Sequence, residues 1–247
     1  PLFTWWISRP LARREARLTA DQTMFLRKMA RKTWAFFETY VSPEDHWLPP
    51  DNYQEHPTPK VAHRTSPTNI GLALLANLSA YDFGYLSAGQ LIERTAHTFD
   101  SMATLERFRG HFYNWYDTQT LKPLLPMYIS SVDSGNLAGH VMTLHSGLLS
   151  LPEHKILAER TFEGLRDTLA LLSEALGTPT SQVDALQKNL VAACGNRPTT
   201  LSEAHHTFSL LTRQVDEVTA HLDPATNAEA HRWAHAFARQ CRDAHND

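Results

Sequence analysis

Six prolines fall between residues 43 and 67: Pro43, Pro49, Pro50, Pro57, Pro59 and Pro67. No helix or inner strand survives that density, because each proline fixes φ and removes a backbone donor. The segment reads as a long ordered loop, and such loops in compact domains are functional or mobile. On both sides of it the pattern is helical. Thr19 or Asp21 can cap a helix in which Phe25, Met29, Trp34, Phe37 and Val41 recur near helical spacing, a core face ending before Pro43. Ser66 and Pro67 supply an N-cap and a first-turn proline ahead of Ile70, Leu74, Leu78 and Tyr81 on one face. Ser87 and Gln90 have the spacing of a capping box for a third helix, with Leu91, Thr95, Met102 and Leu105 before a stop at Gly110.

Aromatic residues dominate from His111 to Asp117, and the alternation of Phe112, Asn114 and Tyr116 with Tyr113, Trp115 and Asp117 predicts a short strand. Asp117 to Thr120 reads as its turn and Met127 to Ser131 as the return strand. Asp133 or Ser134 next begins a helix carrying Leu137, Val141, Leu144 or His145, and Leu148. Beyond Pro152 helices are expected at about 153–176, 181–193, 200–222 and 225–245, separated by Gly177-Thr178-Pro179, Gly195-Asn196-Arg197-Pro198 and Asp223-Pro224. These last helices are rich in Ala, Leu, Glu and Thr and read as packing helices. The expected class is all-α with one small β-hairpin.

With 42% hydrophobic residues in 247, the chain can bury one sizeable core or two modest ones. A net charge of −3 gives no drive toward nucleic acid. The charge is uneven, however. Residues 1–35 hold Arg9, Arg13, Arg14, Arg17, Arg27, Lys28, Arg31 and Lys32 against only Glu15 and Asp21. Cys194 and Cys241 lack the paired spacing of a zinc or redox motif, so a reducing compartment is the default. No run approaches the roughly 18 apolar residues of a membrane span. Pro1 in place of Met predicts a chain taken from within a longer gene product. Residues 1–7, Pro-Leu-Phe-Thr-Trp-Trp-Ile, followed by an arginine-rich stretch, read as the last turns of a membrane helix with interfacial tryptophans and a cytoplasmic basic flank. The other reading is the start of an amphipathic basic helix.

The chemistry concentrates in three loops. Asp45 to Glu55 and Arg109 to Asp117 mix acids, amides and aromatics, and Ser130 to Asn136 adds hydroxyls. A sugar ring offers an apolar face for Trp or Tyr and a hydroxyl rim for Asp, Asn, Gln and Arg. The same residues can equally pack the loops and cap helices, as Asp133 is placed to do. There is no Gly-x-Ser-x-Gly elbow, no phosphate-binding glycine loop and no activated cysteine, so acyl and phosphoryl transfer fall away. Glycosidic chemistry needs two facing carboxyl groups, for which Asp51, Glu55, Asp117 and Asp133 are the candidates. His231 and His235 have a metal-compatible i, i+4 spacing but no acid in a recognised ligand pattern, so no metal is expected. If the loops form a sugar site, at least two ring faces among Trp47, Tyr53, Tyr113, Trp115 and Tyr116 share a groove with Asp51, Asp117 and Asp133. Arg64 then pairs with Asp51, Glu55 or Asp133, or reaches a sugar hydroxyl.

Five motifs in order carry a resemblance to a known family: Trp5 to Pro10, Trp47 to Glu55, Arg64 to Gly71, Gly110 to Asp117 and Ser131 to Gly139. Over residues 1 to about 157 the chain resembles the cyclic β-1,2-glucan synthase family, with residues 158–247 as the variable helical stretch that follows. The resemblance implies a large inner-membrane enzyme with an N-terminal glycosyltransferase, a central transglycosylation region and a C-terminal phosphorylase-like region. This chain would be the start of the central region, just after the last membrane helix and on the cytoplasmic face. Its layout would be a juxtamembrane basic segment (1–18), the N-terminal part of a glucan-binding region (19–152) and a helical continuation (153–247). The helical hairpins would form part of an (α/α)6 toroid.

In the family, the central region closes linear glucan into rings by retaining transglycosylation, and the glutamates assigned to that chemistry lie in its later half, so none maps here. Phe112-Tyr113 followed by Asp117, and Ser131 followed by Asp133, also resemble the related β-1,2-glucanases. By that resemblance Asp117 and Asp133 inherit a substrate-binding role, and Asp133 is the one candidate for a catalytic role. The other substrate-binding candidates are Asp51, Tyr53, Gln54, Glu55, Arg64, His111, Tyr113, Trp115, Tyr116 and Ser131. The implied partners are β-1,2-glucan, the remainder of the same polypeptide and the membrane at the N-terminal edge, with no cofactor and no nucleic acid. The rival reading is a noncatalytic helical adaptor whose aromatic loops bind a partner protein or simply pack.

Overall fold

The structure is a computed structural model that describes residues 3, 5, 17–155, 158–178 and 180–247. The juxtamembrane reading of residues 1–18 falls almost wholly outside them. Helix α1 (Ala20–Tyr40) starts at Thr19, whose hydroxyl accepts from Gln22 N while the Gln22 side chain accepts from Thr19 N, a reciprocal capping box. Trp34 and Val41 are buried as expected, but Phe25 and Met29 face solvent. The reason is that the side of α1 turned toward the protein is charged in its middle turns, where Arg27 and Arg31 find partners.

Ser66 caps α2 (Pro67–Asp82), Ser87 caps α3 (Ala88–Thr104) and Ser130 caps α4 (Ser131–Ser150), each accepting from the backbone N–H three residues on. Gln90 bonds to Glu93 and does not close a capping box. Asp133 lies in the first turn of α4, with Ser130 taking the cap that Asp133 or Ser134 was expected to provide. Helix α3 folds back along α2, with Arg94 Nε 3.4 Å from Asn77 Oδ1. Helices α2 and α4 run parallel with their N-termini side by side. Thr68 meets Asp133, Gly71 lies against His140, Leu78 against Gly147, and Tyr81 against His154.

The loops carry three two-residue antiparallel pairs: β1 (Tyr53–Gln54) with β2 (Lys60–Val61), β3 (Arg64–Thr65) with β6 (Tyr116–Asp117), and β4 (Arg107–Phe108) with β5 (His111–Phe112). The expected strand 111–117 is thus split, and its nearer return is at Lys122–Leu124, while the expected Met127–Ser131 is met at one point, where Asn114 N donates to Tyr128 O at 2.9 Å. Asp117 N donates to Lys122 O and Leu124 N to Trp115 O, both at 2.9 Å. The tight turn, with Leu121 N bonded to Asp117 O and Leu121 at φ 59°, forces the nearer register, and Ser130 is already committed as a cap. The class is therefore all-α with short β pairs in the loops.

Helices α5 (Glu159–Leu176), α6 (Ser181–Gly195), α7 (Leu201–Ala220) and α8 (Ala228–Asn246) close around their own core, with Phe162, Leu165, Phe208, Leu211, Trp233 and Phe237 at its centre. A second core of Leu48, Ile70, Leu74, Met102, Tyr116 and Leu144 lies under the loops. A polar seam on α1 joins the α5–α8 bundle to the rest. Arg31 is fully buried, donating to Thr168 Oγ1 at 2.8 Å and Glu38 at 3.0 Å, between the rings of Tyr85 and Trp233. Arg27 meets both oxygens of Asp167 at 2.9 Å, and Lys28 meets Glu174 at 2.8 Å. Part of the basic excess in the first 35 residues is therefore matched by acids of α5. Among the described residues no helix is long and apolar enough to cross a membrane.

One carboxylate of α8 works against this seam at neutral pH. Burial pushes the Asp243 carboxyl up to about 6, and Asp247 and Glu38 add to the effect against Arg239 and Arg242. A raised folded pKa means that the stabilised form is the protonated one. That contribution is full below the unfolded value and is lost as pH rises through about 6. Asp243→Asn is expected to stabilise the chain at pH ~8 by on the order of 1 kcal/mol after solvent screening, and by much less at pH ~4. Urea midpoints at the two pH values check this. An equal gain at both would show that the charge of Asp243 is not the cause.

Candidate functional site

The pairing of β3 with β6 sets Arg64 opposite Asp117 and Thr65 opposite Tyr116, which draws two loops far apart in sequence over the N-terminal ends of α2 and α4. A buried pin holds them there. Asp45, 5% exposed, accepts from Thr118 Oγ1 at 2.5 Å and from His63 Nδ1 at 2.8 Å, while His46 Nδ1 lies 2.9 Å from Thr118 O. His46 and Trp47 take positive φ, 53° and 58°, so the chain can turn sharply after the 3-10 turn Pro43–Asp45.

Over this frame two carboxylates are held by consecutive residues in the first turn of α2. Thr68 donates to Asp133 Oδ1 at 2.6 Å and Asn69 Nδ2 to Asp51 Oδ1 at 3.3 Å. Arg64 covers Asp51 from the other side, with Nε and Nη2 at 3.1 and 2.8 Å from Oδ2, and its guanidinium sits 5.1 Å from the ring centre of Trp115. Asn114 completes the circuit. Oriented so that each neighbour is satisfied, its amide donates to Asp133 Oδ2 at 2.8 Å and accepts from Trp115 Nε1 at 2.8 Å and Tyr128 OH at 2.7 Å. Asn136 adds a bond to Thr68 at 3.1 Å. The result is one connected patch running Asp51, Arg64, Trp115, Asn114, Asp133, Thr68, joined by hydrogen bonds except between Arg64 and Trp115, where the guanidinium lies over the indole. Two parallel helix N-termini lie beneath it, whose partial positive charges favour acidic groups. Chemically it is a set of oriented acceptors and donors beside an indole face.

Of the residues expected from the sequence, this patch brings together Asp51, Arg64, Trp115 and Asp133. The others stand elsewhere. Tyr116 is fully buried, its hydroxyl donating to Glu106 O and accepting from Tyr113 N, both at 2.7 Å, so it is a core residue and offers no stacking face. Tyr113 is half-buried against Tyr116. Asp117 spends Oδ1 on its own turn, accepting from Gln119 N, Thr120 N and Thr120 Oγ1. Burial acts to raise its pKa, and the Thr120 and Gln119 donors outweigh it and hold the carboxyl below the usual range. Tyr53 stacks on Tyr40 at 5.2 Å, while Gln54 and Glu55 are exposed beside it. His111 is exposed at the β4–β5 tip and Ser131 at the first residue of α4. Trp47 stacks on His97 at 4.9 Å. Among the described residues no group of three or more His, Cys, Asp or Glu is arranged to hold a metal.

Sequence reading missed Asn114, Asn69, Thr68 and the Asp45–His63–Thr118 pin as working parts. Each lies inside a loop or motif already singled out, but only the β3–β6 register brings them together.

No family model matches the chain. A solved structure from Bacteroides fragilis described as a glucoamylase superimposes with a TM-score of 0.37 at 17% identity, covering 76% of this chain and 37% of that one, and a likeness at that level carries no argument. Against the cyclic beta-(1,2)-glucan synthase NdvB of Rhizobium meliloti (strain 1021), identity is 33% over 264 residues, covering 99% of this chain. The chain spans only 9% of that relative's length. Its ordered motifs and this match agree: the chain is a segment of the cyclic β-(1,2)-glucan synthase family.

Proposed function

We propose that this segment forms one wall of a β-1,2-glucan cleft in a cyclic β-1,2-glucan synthase, in the central region that closes linear glucan into rings by retaining transglycosylation. The observation that carries the reading is the bonded patch of Asp51, Arg64, Trp115, Asn114 and Asp133 over two helix N-termini. Asp51 and Asp133 have the oriented acceptor oxygens that sugar hydroxyls need, Arg64 offers donors, and the indole of Trp115 offers an apolar face. Asp133 already accepts from Thr68 and Asn114, which suits a positioned acceptor better than a free acid. The parallel neighbours α2 and α4, with α3 returning beside α2, are the repeat from which an (α/α)6 toroid is built. The rest of the polypeptide would complete that toroid, on the cytoplasmic face of the inner membrane. Val132, Met142 and Leu149 stand exposed along one side of α4, where a further hairpin would cover them. No cofactor is needed in this role.

The test is a titration of the chain with linear β-1,2-glucan and, separately, with cellulose oligomers, followed by tryptophan fluorescence. A change is expected with the first only. Asn114→Ala leaves Asp133 and the Trp115 N–H each short of a partner and should weaken binding about tenfold. Arg64→Lys keeps the charge but loses the fork and should weaken it severalfold, ~3 to 10. Equal response to both glucans, or none, would favour the adaptor reading. Mass spectrometry of linear glucan incubated with this chain alone should show neither rings nor shortened products, since the glutamates lie in the later half. Turnover abolished by Asp133→Asn would instead make Asp133 catalytic.

A further inference from the structure

Helix α8 presents two imidazoles one turn apart. Trp233, Ala234, Ala236, Phe237 and Ala238 are buried in the bundle core, which fixes the backbone from which His231 and His235 project at i, i+4. His231 is half-buried and His235 is exposed. Their Nε2 atoms lie 3.3 Å apart, with ring centres at 4.3 Å and ring planes at 68°.

Two nitrogens bound to one zinc ion at about 2.05 Å stand roughly 2.9 Å apart for a right angle and about 3.4 Å apart for a tetrahedral one. The observed separation falls inside that range, so little side-chain movement brings both rings onto one ion. The competing use is a mutual hydrogen bond, in which one ring donates its Nε2–H to the other. Either use needs a neutral ring. Burial lowers the His235 pKa, and His231, Arg242 and Arg239 lower it further, with Asp216 acting the other way. The arginines nearby do not form a bare positive field. Arg239 pairs with Glu38 at 2.9 Å, Arg232 reaches Glu229 at 3.6 Å and Arg242 reaches Asp216 at 4.0 Å.

We propose that His231 and His235 form a two-histidine site for a late first-row divalent metal ion, with zinc the best fit to the angle and water in the remaining positions. Imidazole suits such ions, whereas magnesium and calcium take oxygen ligands. The bound ion clips the first two turns of α8 together and so adds stability to the helix. The site shares no residue with the patch over α2 and α4, and it holds or fails independently of glucan binding.

Isothermal titration of the untagged chain with zinc chloride tests it, with magnesium chloride as the control. Half the ligand set of a structural zinc site corresponds to a Kd on the order of 10 to 100 µM. His231→Ala and His235→Ala should each weaken zinc binding at least about tenfold, since a chelate becomes a single ligand. His205→Ala breaks the other close histidine pair, in which the ring centres of His205 and His245 are 3.8 Å apart, and should leave the titration unchanged. Zinc at about a hundred times Kd should raise the melting temperature of the parent by on the order of 5 °C and that of the His235→Ala variant by less than ~1 °C. His235 is exposed, so circular dichroism of that variant without zinc should match the parent. Zinc uptake that survives both single variants, an equal loss with His205→Ala, or no uptake below ~1 mM would overturn the proposal. So would an equal response to magnesium.

Discussion

Replacing Gly164 or Gly84 with alanine is expected to cost ~3 kcal/mol or more, because both glycines stand at one point where backbone meets backbone. A Cβ on Gly164 would overlap the carbonyl of Gly84, and one on Gly84 would overlap the carbonyl of Arg160. Gly84 also has φ +78°, which disfavours any side chain. The neighbouring atoms are main chain and cannot swing aside, so the turn after α2 must separate from the first turns of α5. Gln240 Nε2, which donates to Gly84 O at 3.3 Å, would lose its place as well. In a chain of this size the loss corresponds to a fall in melting temperature on the order of 10 °C. Gly195 and Gly139 have open space where an alanine methyl would stand, and alanine there should change stability by less than ~1 kcal/mol. Thermal melts of the four variants decide the matter, and a Gly164→Ala melt like that of Gly195→Ala would remove the claim of a close approach.

Arg31→Met should be nearly as damaging, at about 3 kcal/mol. Arg31 has no exposed surface, and its fork joins α1 to Thr168 of α5 and to Glu38 of its own helix. Glu38 also takes Arg239 of α8 at 2.9 Å. Burial works to raise the Glu38 pKa, but Arg31 and Arg239 overcome it and hold the carboxyl below the ordinary range. Methionine fills much of the volume, yet it leaves Glu38 with half its compensation in a poorly hydrated place. A lowered folded pKa contributes stability that is full above the unfolded value and is lost as pH falls from there through the folded one, so part of the acid sensitivity should vanish with Arg31. Lys28→Met, which removes a more exposed pair with Glu174, should cost less than ~1 kcal/mol. Urea titrations of both variants at pH ~7 and ~4 test this. If Arg31→Met matches Lys28→Met, the seam is held by packing alone.

Much of the fold was legible in the chain because it is local. Thr19, Ser66 and Ser87 announce their helices by short-range hydrogen bonding, and the six prolines keep a helix or a long strand out of the stretch between 43 and 66, which holds only a 3-10 turn and two-residue strands. The motifs that carry the family resemblance are likewise contiguous runs. Periodicity, in contrast, says that Phe25 and Met29 share a face with each other but not which way that face points. That depends on where Arg27 and Arg31 find partners more than 130 residues away.

The site divides in the same way. Sequence alone determined that acids, amides and aromatics gather in three loops, and it singled out Asp51, Arg64, Trp115 and Asp133. Only the tertiary structure decided that Tyr116 is core, that Asp117 serves its turn, and that Asn114 links Asp133 to the Trp115 indole. Those outcomes follow from the β3–β6 register and from the parallel packing of α2 on α4, which set residues from separate loops within hydrogen-bond reach. A sequence specifies such a register through burial of Thr65 and Tyr116 on the core side, a long-range requirement that no local pattern encodes.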